Sequence, residues 1–226
     1  MLRYAITDRT QLGVEQTAQR TALLACIARW ATLGVDYIQL REKDLPAAEL
    51  LSLARDLRAL LTAHSSPTKL LLNAPPAFAL EAEAFGEGLI DGLLLTSSLA
   101  VTPTEVRKLL AASPAFAQRT QRPPLLSISC HTPAEVQSAA LAGVDLILFG
   151  PVFGKSILAP ESHSGSTPVY RTVTPPIGLD ALRSACSLAG GTPVLALGGI
   201  TSANTALCRE AGAAGIAGIR LFQQPQ

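Results

Sequence analysis

The chain has 226 residues, 48% of them hydrophobic and 15% charged, with a formal net charge of +1. That length suits one large domain or two small ones, and the apolar fraction excludes a mainly disordered chain. The balanced charge excludes a broad nucleic-acid footprint, and every apolar run is cut by a charge, Gly or Pro well short of the roughly 20 residues that span a bilayer.

Short apolar runs alternate with longer helical patterns. Tyr4–Asp8 reads as a first strand, and nothing in Met1–Asp8 reads as a signal peptide, since no basic stretch precedes an apolar core. Gln16–Leu33 carries apolar residues at helical spacing, and the strand candidate Tyr37–Glu42 follows. Pro46 suits the first turn of a helix over Ala47–Leu61, ahead of strand candidates Lys69–Asn73 and Gly92–Ser97. Thr102-Pro103-Thr104-Glu105 reads as an N-cap, a proline at the first helical position and an acidic first turn. The same signature recurs at Thr132-Pro133-Ala134-Glu135, directly after the strand candidate Leu125–Cys130. Leu146–Phe153 is the sixth strand candidate. Gly154–Pro176 is rich in Ser, Pro and Gly without periodicity, and reads as a structureless insert of the kind that serves as a lid. Pro193–Gly199, a helix opened by Thr201–Asn204, and Gly215–Phe222 complete the series.

A weak repeat runs through this order. Leu33-Gly34-Val35-Asp36, Ala142-Gly143-Val144-Asp145 and Ala211-Gly212-Ala213-Ala214-Gly215 each read as a helix-capping glycine and a tight turn into a strand. Strands that are apolar throughout, separated by helices, imply a parallel sheet covered on both faces. About eight such units predict an α/β fold, a single (βα)8 TIM barrel over residues 1–226. A doubly wound open sheet is the alternative, weakened by the lack of G-x-G-x-x-G after the first strand. Only Gln223–Gln226 follow the last strand, so the last helix is truncated. The first helix or a second subunit, as in a homodimer, would cover that wall.

In such barrels the chemistry sits at the C-terminal strand ends. There the sequence places Thr7 and Asp8, then Gln39, Arg41 and Lys43, then Asn73, Thr96, Ser97 and Ser98, then Ser129 and His131, Lys155, Gly198 and Gly199, and Arg220. The strand period of two puts Gln39, Arg41 and Lys43 on one inward face. Inward cations need a partner, so the reading is an anion site, against the alternative of an internal pair with Glu42, Asp8 or Asp36. Gly198-Gly199 and Gly218-Ile219-Arg220 suit a phosphate cup of backbone amides. His131 reads either as a general acid/base or as a capping residue ahead of Thr132. Cys130 points to the other face, which disfavours a Cys–His pair. Cys26, Cys130, Cys186 and Cys208 are too scattered for a zinc site or a disulfide framework, and a reducing cytoplasm fits them. His64, His163 and the basic stretch Arg119–Arg122 carry no argument.

These motifs together resemble the thiamine phosphate synthase/TenI superfamily across nearly the whole chain. The matching text is Tyr4–Asp8, Ile38–Lys43, Leu72-Asn73, Ser127–His131, Phe149–Phe153, Leu197–Ile200 and Gly215–Phe222. The resemblance implies the same (βα)8 barrel. In the synthase branch an aminopyrimidine methyl diphosphate is coupled to a thiazole phosphate and pyrophosphate leaves. Gln39, Arg41, Lys43 and Asn73 would hold the diphosphate, assisted by Ser129 and Lys155. Gly198, Gly199, Ile219 and Arg220 would hold the thiazole phosphate. The family's magnesium is held by two aspartates, but Ala74-Pro75 follows Asn73, and Leu95–Leu99 carries no acidic residue. Neither segment offers a hard carboxylate ligand. At these positions the chain is closer to the TenI-like branch, some of whose members are thiazole tautomerases. That reading needs no cofactor and uses His131 as the proton shuttle, with Arg41 and Lys43 facing a substrate carboxylate. The alternatives are a divergent magnesium-dependent synthase with displaced ligands, such as Asp8, Glu42 or Asp44, and a non-catalytic binder or regulator. All three take a small phosphate ligand, without nucleic acid or membrane.

Overall fold

In the computed structural model the described residues are 1–73, 84, 86–95, 102–112, 123–158 and 170–224. Eight parallel strands close into a barrel: β1 (Leu2–Ile6), β2 (Tyr37–Leu40), β3 (Lys69–Asn73), β4 (Gly92–Leu95), β5 (Leu125–Cys130), β6 (Leu146–Phe149), β9 (Val194–Leu197) and β10 (Gly215–Gly218). The seam pairs β1 with β10, Leu2 opposite Gly215. The predicted barrel is thus the observed one. Around it lie α1 (Gln16–Thr32), α2 (Ala47–Ala63), α3 (Pro103–Ala111), α4 (Pro133–Leu141), α5 (Leu179–Leu188), α6 (Thr205–Glu210) and the single-turn α7 (Arg220–Gln223). Among the described residues no helix is long and apolar enough to cross a membrane.

Strand alternation divides the apolar residues between two compartments. Tyr4, Ile6, Leu71, Leu94, Leu146, Leu148, Leu195 and Ala217 fill the barrel interior. Ala5, Ile38, Leu40, Leu70, Leu72, Leu93 and Ile147 face outward against the helices. The strands therefore read as continuous apolar runs because both faces are covered. Thr102 and Thr132 cap α3 and α4 as their sequences indicate, each accepting from the backbone N–H of the glutamate three residues on. The repeated turn also stands: Gly34, Gly143 and Gly212 have φ of 67°, 76° and 97°.

Several strands end short of the expected bounds. β1 stops at Ile6, β2 at Leu40, β6 at Phe149, β9 at Leu197 and β10 at Gly218, after which Arg220 opens α7. The insert is also not structureless. Lys155–Leu158 (β7) and Tyr170–Thr174 (β8) pair as an antiparallel two-stranded sheet. Its base is tied to the barrel where Ile177 and Gly178 donate their N–H groups to the carbonyls of Pro151 and Val152.

The wall beside α7 is covered by α1. Trp30 is 1% exposed and packs edge-on to Phe222 at 6.4 Å. The Trp30 indole N–H and the Arg29 guanidinium both donate to the Phe222 carbonyl, at 2.9 and 2.7 Å. A fourth-turn tryptophan thereby takes over the last carbonyls that a longer helix would satisfy itself.

Candidate active site

The C-terminal ends of β9 and β10 open a cleft of about 800 Å³. Its walls include Gly198, Gly199 and Ile200 from one strand end and Ile219 and Arg220 from the other. Arg41 and Gln11 reach it from the β2 and β1 sides. Gly198 and Gly199 hold φ of 92° and 65°, and both lie hard against the segment after β6. A Cβ at Gly198 would stand 2.5 Å from the Cβ of Pro151, and one at Gly199 2.7 Å from the Cβ and carbonyl oxygen of Phe153. Glycine is therefore demanded twice over, by conformation and by space. The N–H groups of Gly199 and Ile200 donate to no described group, whereas the Thr201 N–H is held by Asn204 Oδ1 at 2.8 Å.

Arg41 is half-buried, and its guanidinium has no partner among the described residues. Its backbone N–H donates to Thr7 Oγ1 at 2.9 Å. Lys43 is exposed beyond the turn and does not line the cleft. The expectation that Gln39, Arg41 and Lys43 share one strand face is thus corrected, because the strand ends at Leu40.

The internal ion pair forms with a different cation. Glu42 is 5% exposed and accepts from the Arg9 backbone N–H at 3.1 Å and from its guanidinium at 3.3 Å. Arg9 also makes a two-pronged bond to Asp44, at 2.7 and 2.8 Å. Burial pushes the Glu42 carboxyl up despite bonds from Thr7 and Arg9, while the Arg9 guanidinium holds Asp44 low. Asp8 is used locally, accepting from Thr10 Oγ1 at 2.6 Å and from Gln11 Nε2. The three carboxylates considered as displaced magnesium ligands are therefore committed to other donors. Among the described residues no group of three His, Cys, Asp or Glu stands close enough to hold a metal ion. The donor set of the described residues does not fit magnesium.

Further along the same barrel end, Gln39 is 1% exposed and donates from Nε2 to Asn73 Oδ1 at 3.0 Å. Its Oε1 is buried without a partner, an acceptor left over for a ligand or a water. Ser129 is half-buried beside Leu148 in the β5–β6 register. His131 is exposed, and its backbone N–H is taken by Glu135 Oε2 at 2.6 Å. Its Nδ1 lies 2.6 Å from the Gly150 carbonyl. A carbonyl can only accept, so Nδ1 carries the hydrogen, and Nε2 is the atom left to take or give a proton. His131 is thus both anchored and open. Burial pushes the neighbouring Cys130 thiol up to about 12, which removes it as a nucleophile near neutral pH. The backbone of Lys155 begins β7, and Thr96, Ser97 and Ser98 lie outside the described residues.

The structure therefore gathers Arg41, Gly198, Gly199, Ile219 and Arg220 in one cleft, with Gln39 and Asn73 as a bonded pair and His131 on the Gly150 carbonyl. Sequence reasoning missed Gln11 in the cleft and Arg9 two residues before it. The only signal for Arg9 is a cation soon after a strand end, and that pattern is too common to point anywhere.

Comparison with known proteins agrees with this fold. The family model described as "Thiamine monophosphate synthase" matches residues 3–91 and 110–222. A Geobacter sulfurreducens protein named "Putative thiamine-phosphate synthase" is 35% identical over 95% of this chain and 83% of its own length. A thiamine-phosphate synthase of Roseiflexus castenholzii is 30% identical over 95% of this chain and 77% of its own. Among solved structures, the thiamine phosphate pyrophosphorylase of Pyrococcus furiosus superposes with a TM-score of 0.68 at 24% identity, covering 100% of this chain and 88% of that one.

Proposed function

Since the chain belongs to the thiamine phosphate synthase/TenI superfamily and is a barrel of thiamine biosynthesis, we propose that it joins an aminopyrimidine methyl diphosphate to a thiazole phosphate. The C–O bond to the diphosphate breaks, a C–N bond to the thiazole forms, and pyrophosphate leaves. The observation that carries this reading is the cleft itself. The unbonded amides of Gly199 and Ile200, facing the turn at Ile219 and Arg220, receive the thiazole phosphate. Arg41, a fork-shaped donor with no partner among the described residues, lines the same cleft and takes charge from the departing pyrophosphate. Gln39 and Asn73 order the inner wall. The reading also takes Ser129 as a helper on the diphosphate. Arg41→Met is expected to weaken thiazole phosphate or pyrophosphate binding about 10- to 100-fold, the scale of one lost charge-assisted bond. Isothermal calorimetry checks this, and unchanged affinity would remove Arg41 from the site.

A second reading, a thiazole tautomerase, is favoured by two observations. Among the described residues no cluster of carboxylates could hold magnesium, and the His131 Nδ1 is pinned on the Gly150 carbonyl, which leaves Nε2 for proton transfer. A tautomerase needs a phosphate anchor and a proton shuttle, and no metal. The deciding experiment assays purified protein for pyrophosphate release from the two synthase substrates, with and without magnesium, beside aromatisation of a thiazole carboxylate phosphate. Pyrophosphate release establishes the synthase. Aromatisation that disappears in His131→Asn establishes the tautomerase instead. Binding of thiazole phosphate without either turnover leaves a non-catalytic phosphate binder.

A further inference from the structure

Close in sequence to two residues that line the cleft is a buried ion pair that the proposed reaction does not use. Arg9 has a side chain only 4% exposed, and Glu42 one only 1% exposed. A pair so far from water is costly unless every remaining donor and acceptor is satisfied. Here Glu42 accepts from the Arg9 backbone N–H and the Arg9 guanidinium, and the same guanidinium makes two further bonds to Asp44. The short 3-10 turn Arg9–Leu12 is thereby fixed to the loop leaving β2.

The two ends of this cluster lead to the cleft. Gln11, two residues beyond Arg9, lines it, and so does Arg41, the residue before Glu42. Thr7 is fully buried and accepts the Arg41 backbone N–H at 2.9 Å. The backbone that carries the Arg41 guanidinium is thus held by Thr7 and, through the adjoining Glu42, by Arg9. We propose that Arg9 is a positioning residue, which through Glu42 sets Arg41 and Gln11 in the cleft so that they meet a phosphate. The inference deepens the proposed phosphate site and rests on that reading for the ligand.

The arrangement makes a demand on geometry that bulk charge does not meet. Lysine keeps the positive charge of Arg9 but lacks the fork that serves Glu42 and Asp44 together. Arg9→Lys is therefore expected to raise KM for the thiazole phosphate, and its Kd by calorimetry, about tenfold or more, with kcat within about twofold. Asp44 is half-exposed, and Asp44→Asn leaves the buried Glu42 pair in place. It should fold normally and give a smaller rise of about threefold. Arg20→Met, which breaks a surface pair with Asp56, is the control and should change neither constant. Inorganic phosphate is titrated in parallel. Arg9→Lys and Asp44→Asn proteins that are folded and bind both probes as the parent does would overturn the inference. A parent that binds inorganic phosphate but not thiazole phosphate, with the affinity still falling in Arg9→Lys, would overturn the thiazole reading and leave Arg9 in its role. A parent that binds neither probe overturns both.

Discussion

Gly199→Ala is expected to destabilise the protein by about 3 kcal/mol and to weaken phosphate binding more than tenfold. The stability loss has two sources. At φ of 65° an L side chain carries backbone strain, and the new methyl would lie 2.7 Å from Phe153 atoms. The Phe153 segment cannot step aside freely, because its N–H donates to the Gly198 carbonyl at 3.0 Å and the Val152 N–H to Leu197 at 2.8 Å. Relief must come from moving the Gly199–Ile200 amides, which are the groups offered to the phosphate. Urea denaturation and calorimetry on one preparation would check both effects. A stable variant with unchanged affinity would refute the phosphate cup at this turn.

Arg9→Met is expected to cost about 3–5 kcal/mol near neutral pH, the usual penalty for leaving one member of a buried pair behind. The loss should depend on pH in a definite direction. Burial already raises the Glu42 carboxyl, and Arg9 is among the groups that hold the rise down. Without Arg9 the folded-state value climbs further above the unfolded value of about 4.3. A carboxyl raised in this way prefers its proton in the folded state. The penalty is absent below the unfolded value and reaches its full size above the folded one. Asp44 narrows the gap from the other side. Arg9 lowers its pKa, so the stability it lends the parent is present above the unfolded value and fades as pH falls through the folded one. Denaturation midpoints from about pH 4 to pH 8 should therefore show parent and variant converging in acid. A constant difference across that range would mean that the buried charge of Glu42 is not the cause.

The fold was legible in the sequence because both compartments of a parallel barrel demand apolar strands. Leu70, Leu71 and Leu72 serve outside, inside and outside in turn. The strand ends were less legible. Alternation through Gln39-Leu40-Arg41-Glu42-Lys43 suggests a strand to Glu42, yet the chain turns at Leu40 because a backbone N–H 33 positions earlier captures the Glu42 carboxylate. Local pattern holds no trace of that bond. The hairpin was hidden by composition, although Tyr170-Arg171-Thr172-Val173-Thr174 has the aromatic and β-branched content of a strand. In the site, the glycine cup could be read because backbone approach needs glycine at fixed places. The roles of Lys43 and Lys155 could not, since a cation after a strand end says nothing about where its long side chain goes.

The repeated turn at the opposite barrel end has a consequence for how the chain assembles. Asp36 accepts the Arg3 N–H, Asp91 the Leu70 N–H and Asp145 the Leu126 N–H, each carboxylate at the start of one strand clasping the strand before it. These clasps tie β1 to β2, β3 to β4 and β5 to β6 across separations of 33, 21 and 19 residues. Ring closure instead joins Leu2 to Gly215 and Trp30 to Phe222, and the second of these spans 192 residues. Loop-closure entropy favours the short spans. The barrel is in this sense zipped along the chain by short-span contacts and latched once, with the proposed phosphate cup beside the latch.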